Sequence, residues 1–270
     1  MLKDITLGQY FPGSSAIHRL DPRSKIIFMF LYIAIIFCIK NMFSYVVVGA
    51  FVFLSAHSSG IPIKYMVKGI KPIVFFIFLT AFFNLFFTPG KVIFSYGFIV
   101  ISQEGIRLAV FMILRLLFLI LGTSLLTLTT SPIVLTDGIE EIISPLKKIG
   151  VPSHEIAMMM TIALRFIPTL LEETDKIIKA QTARGADFES GNIFRRAKAM
   201  LPILIPLFMS AFRRADELAT AMECRCYRGG ENRTKLKELK FGKTDFFALL
   251  IMILFGAAAI SLNFIKFGYR

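Results

Sequence analysis

Two arginines set between small residues are the side chains of this sequence best shaped to hold a partner: Arg184 in Ala183-Arg184-Gly185 and Arg225 in Cys224-Arg225-Cys226. A guanidinium is a planar, permanently charged fork of donors, and small neighbours leave it room to enter a groove and pair bidentately with a carboxylate. An arginine in a helix's last turn also has a plain structural use, satisfying orphan carbonyls and complementing the helix dipole. Two such tips about forty residues apart, each closing a long mixed-polarity stretch, favour docking.

The other reactive residue types do not assemble into a catalytic frame. Cys38, Cys224 and Cys226 are odd in number, and Cys-x-Cys without a second Cys or His group is neither a metal cage nor a disulfide frame, so reduced thiols are expected. His18 has no second ligand beside it, and His18 to Arg23 reads as structural, with a turn at Asp21-Pro22. Gly242-Lys243-Thr244 resembles the end of a phosphate-binding loop, but Lys237 stands where that loop needs its first glycine. Acidic residues are interleaved with bases, as in Glu172 with Lys176 and Asp175 with Lys179, the spacing of a solvated helix face. No catalytic, cofactor-binding or metal-binding residue is assigned, and the chain is expected not to be an enzyme.

The elements that carry the arginines belong to a membrane protein. Of 270 residues 56% are apolar, 29 are Phe and 18% are charged, and mean hydropathy is +0.70, so the main solvent is lipid. The net charge of +13 is then Lys and Arg held on one side of a bilayer rather than a nucleic-acid footprint, since no base-reading signature accompanies it. Residues Met1 to Ser24 lack the basic-then-apolar order of a cleaved signal, so the first apolar segment is expected to be retained.

Apolar runs at Ile26 to Ile39, Met42 to His57, Ile73 to Phe87, Leu108 to Thr130 and Phe246 to Phe264 are the candidate spans. Judged against the roughly 20 residues a bilayer core needs, the first two are short and are expected to pair as a hairpin turning at Lys40-Asn41. Val92 to Ser102 is expected to be a short extracellular strand or hairpin around Tyr96-Gly97. Arg115, inside the fourth span, must face protein rather than lipid. The expected class is all-α and polytopic, with about five transmembrane helices. It divides into a cytoplasmic N-terminal segment 1–24, four spans in 25–130, a cytoplasmic region 131–243 with two long helices and a last span in 244–270. The positive-inside rule places the N-terminus in the cytoplasm and Arg270 outside, because eighteen Lys and Arg fill Ser131 to Lys243.

Within that insert, Ser153 to Arg184 carries too many charges for a straight crossing, each costing roughly 2.5–3.5 kcal/mol at mid-membrane. It reads as a long helix, apolar from Ile156 to Leu171 and bent at Pro168, whose apolar half lies at the membrane face and whose charged half enters the cytoplasm. Asn192 to Tyr227 repeats the pattern, with Asn192 as N-cap and bends at Pro202 and Pro206. Gly185 should end the first helix and Gly229-Gly230 the second. A third helix, Ile133 to Ile149, lies between Pro132 and Gly150.

Three segments carry a family resemblance: Ser15-Ala16-Ile17-His18-Arg19-Leu20-Asp21-Pro22-Arg23-Ser24-Lys25, Gln181-Thr182-Ala183-Arg184-Gly185 and Ala221-Met222-Glu223-Cys224-Arg225-Cys226-Tyr227. With them the chain resembles, over nearly its whole length, the T components of energy-coupling-factor (ECF) vitamin and metal-ion importers. The third segment departs from that family's Ala-Arg-Gly form. The resemblance implies a multi-pass subunit of the bacterial cytoplasmic membrane whose Ala183, Arg184, Gly185, Cys224, Arg225 and Cys226 dock into two ATP-binding-cassette ATPases. The two unlike tips suggest that those ATPases are non-identical. ATP would be bound by the partners, with no cofactor in this chain. It further implies a small membrane-embedded, substrate-binding S component held by apolar faces around Met158, Met159 and Met160 and around Leu201, Leu204 and Phe208. The alternative is a self-sufficient secondary transporter or channel, a class that usually places Asp, Glu or His inside its spans.

Overall fold

A computed structural model describes residues 10–96, 99–188, 190–230 and 239–264. Gly97, Lys237 and Arg270, used in the sequence reading, lie outside them. The described chain is helical apart from one hairpin and falls into two compact units, 10–138 with 239–264 and 139–230.

In the first unit, helices α1 (Ala16–Arg19), α2 (Pro22–Cys38), α3 (Ser44–Ser59), α4 (Ile63–Lys68), α5 (Val74–Phe87), α6 (Gln103–Thr129) and α10 (Lys243–Phe264) surround a core that includes Tyr32, Ile36, Val48, Leu128 and Phe255. Asp21-Pro22 makes a helix start, with the Asp21 carboxylate accepting from the Arg23 N–H and Pro22 at the first turn, where its missing N–H costs nothing. Helices α2 and α3 are 17 and 16 residues long and turn at Lys40-Asn41 as expected. Asn263 of α10 fastens that turn, its Oδ1 accepting from the Lys40 and Asn41 N–H groups and its Nδ2 donating to the Cys38 carbonyl.

Arg115 is absorbed by protein. Its guanidinium donates to the Ile39 carbonyl at 3.1 Å and the Tyr45 hydroxyl at 3.4 Å and lies over the Phe111 ring at 4.7 Å, so one cation ties α6 to the C-terminus of α2. Helix α5 exposes Phe75, Phe76, Phe78 and Phe87 while packing on α6. Gly105 permits that packing, because a Cβ there would lie 3.0 Å from the Asn84 and Leu85 carbonyl oxygens. The expected hairpin is present as β1 (Val92–Tyr96) antiparallel to β2 (Ile99–Ser102), and the Ser102 hydroxyl caps α6 through the Gly105 N–H.

The N-terminal motif is a clasp. His18 joins Ser15 Oγ and the Phe11 carbonyl, and Lys25 Nζ donates to the carbonyls of His18 and Thr129 and to Thr130 Oγ1. Gly242-Lys243-Thr244 is a helix start, its glycine N–H taken by Asp245 Oδ2 at 2.8 Å while Asp245 Oδ1 accepts from the Asp21 N–H.

In the second unit α7 (Pro132–Ile143), shared between the two, leads into a 3₁₀ turn at Ser144–Ile149 and Gly150 at φ 89°. The expected single helix to Ile149 tightens there because Pro145 has no N–H to continue the α-helical ladder. Helices α8 (Ser153–Ala183) and α9 (Ile193–Cys224) follow, both continuous through their prolines. Pro206 deprives the Pro202 carbonyl of its helical donor, and Gln181 Nε2 of α8 reaches that oxygen at 3.5 Å.

Among the described residues, four stretches are long and apolar enough to cross a membrane: 63–87, 103–129, 153–183 and 243–263. Three contain expected spans. The fourth is α8, expected to lay its apolar half at the membrane face and send its charged half into the cytoplasm; the expected short spans 26–39 and 42–57 are not among the four, and α3 is a shorter apolar helix.

Candidate functional site

Both arginines sit at the same position of the same kind of helix end. At the end of α8 the N–H of Gly185 bonds to the Thr182 carbonyl at 2.9 Å and that of Ala186 to the Gln181 carbonyl at 3.0 Å, with Gly185 left-handed at φ 86°. At the end of α9 the N–H of Cys226 bonds to the Glu223 carbonyl at 2.9 Å and that of Tyr227 to the Met222 carbonyl at 3.0 Å, with Cys226 left-handed at φ 57°. These are paired Schellman caps, and in each the arginine is the residue between the last helical turn and the left-handed one. The departure from Ala-Arg-Gly is therefore one of sequence and not of backbone. It also corrects the expected end of the second helix, which falls at Cys224 and not at Gly229-Gly230, because Cys226 itself supplies the reversal. A β-carbon in that conformation costs roughly 1–2 kcal/mol relative to glycine.

Ala183, Arg184, Gly185, Cys224, Arg225 and Cys226 are all exposed. They are not brought together. Contacts between α8 and α9 run in antiparallel order: Gln181 meets Pro202, and Glu173 pairs with Arg214 at 3.1 Å. At the far end, the backbone at Gly230 approaches His154 so closely that a Cβ there would lie 2.7 Å from its ring. The tips thus stand at opposite ends of a helix pair, separated by about 25 residues of α9, or about 40 Å at 1.5 Å per residue.

An ion pair between Glu173 and Arg214 and a histidine–carboxylate contact brace this arrangement. The Ser210 hydroxyl and the Arg214 guanidinium beside Glu173 hold its carboxyl below the usual carboxylate range. His154 Nδ1 lies 3.0 Å from Glu140 Oε1, joining the start of α8 to α7 beneath the second tip. Neither contact has a local sequence signal, since the partners are 41 and 14 residues apart.

Of the apolar candidates, Met159, Leu201, Leu204 and Phe208 are exposed and Met158 and Met160 half-buried. Leu201, Leu204 and Phe208 follow helical spacing along α9, and Ile205, Met209 and Phe212 widen the exposed apolar face they begin.

These features define the class: a polytopic helical membrane protein carrying a pair of long helices with exposed, identically capped arginine ends. The chain belongs to the CbiQ family, described as cobalt transport protein, which matches residues 13–236 and so takes in both tips. It is similar to the energy-coupling factor transporter transmembrane protein EcfT of Ruminiclostridium cellulolyticum, 54% identical over 267 residues, 99% of this chain and 100% of that one. The protein of the same name from Acidaminococcus fermentans is 56% identical over 268 residues, 99% of each chain. That of Bacillus subtilis is 46% identical over 258 residues, 95% of this chain and 97% of its own.

Proposed function

We propose that this chain is the non-catalytic coupling subunit of an ECF-type importer. Arg184 and Arg225 each dock into one of two ATP-binding-cassette ATPases, and motion of those ATPases passes through α8 and α9 to a substrate-binding S component. The observation that supports this most strongly is the pair of exposed arginines on equivalent caps about 40 Å apart, since two separated docks suit two ATPases better than one. ATP is held by the partners. The exposed apolar faces at Met159 and from Leu201 to Phe208 suit the S component, and the unlike tips suit two non-identical ATPases. The N-terminus is cytoplasmic in this reading. Coupling requires that the tips bind the two ATPase states unequally, because contacts equal in both would shift nothing.

The test is charge reversal, Arg184→Glu with Arg225→Glu, in the full chain expressed with its partners. Loss of a charge-assisted bidentate pair costs roughly 1.5–3 kcal/mol per tip, so co-purification of the ATPases should fall by more than about tenfold. Unchanged ATPase recovery would sink the docking role. A stand-alone transporter would instead show ion-driven flux from the purified chain in vesicles.

A further inference from the structure

The first unit contains an open cleft of about 610 Å³ between α2, α3, α6 and α10, with α1 across one end and Leu54, Phe247 and Ile251 exposed at its mouth. That size is typical of ligand clefts and far larger than the water-sized voids of a packed interior. Its walls are apolar for most of their length, with Phe28, Phe51, Leu125, Leu126, Phe247 and Ile251 contributed by all four helices. The polar groups collect at one end, where Lys25 begins α2, Ser58 closes α3, Thr129 closes α6 and Thr244 begins α10.

Water is a poor occupant. A buried water needs two to four polar partners, and the Lys25, Thr129 and Tyr32 donors are already spent, which leaves only the Ser55, Ser58 and Thr244 hydroxyls along a long apolar wall. Lys25 Nζ donates to three oxygens at 3.0–3.2 Å, Thr129 Oγ1 to the Leu125 carbonyl at 2.7 Å and Tyr32 Oη to the Phe118 carbonyl at 2.7 Å. The filler must be hydrocarbon along the shaft and polar at one end. Exposed Arg19 and Lys243 adjoin the lining residues Leu20 and Thr244 in sequence, and with Arg23 and Lys25 these cations outnumber the Asp21 and Asp245 carboxylates at that end. In a membrane-spanning body the abundant molecule of that description is lipid.

We propose that this cleft is a lipid site that takes one acyl chain of an anionic membrane phospholipid, its tail running toward Tyr32 and Gly122 and its phosphate at the Arg19 and Lys243 end. The proposal is independent of the coupling role. A retained lipid would complete the packing of α2, α3, α6 and α10, as a bound ligand stabilises any fold that alone presents its site.

The sequence has no tryptophan, so Phe28→Trp places a single fluorophore in the cleft wall and Phe30→Trp one on the exposed face of the same helix. Each full-length variant is reconstituted with phosphatidylglycerol carrying brominated acyl chains, extracted into lipid-free detergent and repurified. The expected result is about one phospholipid phosphorus per chain and roughly twofold quenching at position 28 but none at position 30. Ala248→Phe and Ser55→Phe, filling from two different helices, should each lower the retained phosphorus at least about threefold and restore the fluorescence. Full fluorescence at position 28 would overturn the proposal by itself, whether or not the filling variants fold. So would retained phosphorus that neither filling variant reduces. Brominated fatty acid recovered without phosphorus would refute the phospholipid assignment.

Discussion

The two caps make opposite predictions for one glycine and one cysteine. Gly185 sits at φ 86°, and a Cβ there would meet nothing within 4 Å, so Gly185→Ala carries no steric cost and only the conformational one. The left-handed penalty of roughly 1–2 kcal/mol, less the fraction regained because alanine narrows the open ensemble, leaves about 1 kcal/mol of destabilisation. That corresponds to about a fivefold larger open population. Cys226→Gly reverses the terms and should stabilise its cap by about 1 kcal/mol, roughly a fivefold smaller open population. Hydrogen exchange read by mass spectrometry in lipid nanodiscs reports this directly at the amides of Gly185, Ala186, Cys226 and Tyr227, which close the caps. Gly185→Ala should speed exchange at the first pair and Cys226→Gly slow it at the second, while Cys226→Ala, which keeps a Cβ, leaves it unchanged. Faster exchange in Cys226→Gly, or equal slowing in Cys226→Ala, would refute the shared-cap argument.

Three further outcomes follow from the packing and the ion pairs. Arg115→Met should lower the thermal stability of the detergent-solubilised chain, because it leaves the Ile39 carbonyl without its donor at a cost of roughly 1–3 kcal/mol; an unchanged melting point would show that the clip carries no load. Gly105→Ala presses a Cβ against the Asn84 and Leu85 carbonyls and should cost roughly 1–3 kcal/mol, read as early protease cleavage between α5 and α6; wild-type resistance would contradict the close approach. Glu173 has its carboxyl held below the ordinary range, so its contribution is present above the unfolded value and is lost as pH falls through the lower folded one. Amide protection around Glu173 and Arg214 should therefore persist through mildly acidic pH and fail below the usual carboxylate range. Glu173→Gln should abolish that acid step, and an identical acid profile in the variant would show that another group sets it.

Much of the membrane body was legible because its signals are local. Apolar length marked three of the four stretches able to cross, Lys40-Asn41 marked the hairpin and the cost of Arg115 in lipid required a protein partner, although only the structure identifies that partner as the Ile39 carbonyl. The arginine tips were visible as residue types. Their equivalence was hidden, because a cysteine in a left-handed conformation leaves no compositional trace, and the nearby Gly229-Gly230 offered a more conventional helix end. The opposite placement of the tips was also hidden, since antiparallel order depends on contacts such as Glu173 with Arg214, 41 residues apart. Along α8, hydropathy and charge point in different directions: the helix is long and apolar enough to cross, yet it carries Arg165 and a charged second half.

The docking of each arginine tip on its own ATPase is best tested by photocrosslinking in native membranes, with benzoylphenylalanine replacing Ala183 in one variant and Cys224 in another and Arg165 as the mid-helix control. The account predicts that both tip positions capture an ATP-binding subunit and the control does not, with the two captured subunits distinct in mass if the unlike tips serve unlike ATPases. Tips that capture no ATPase, in membranes where the complex assembles, would contradict it.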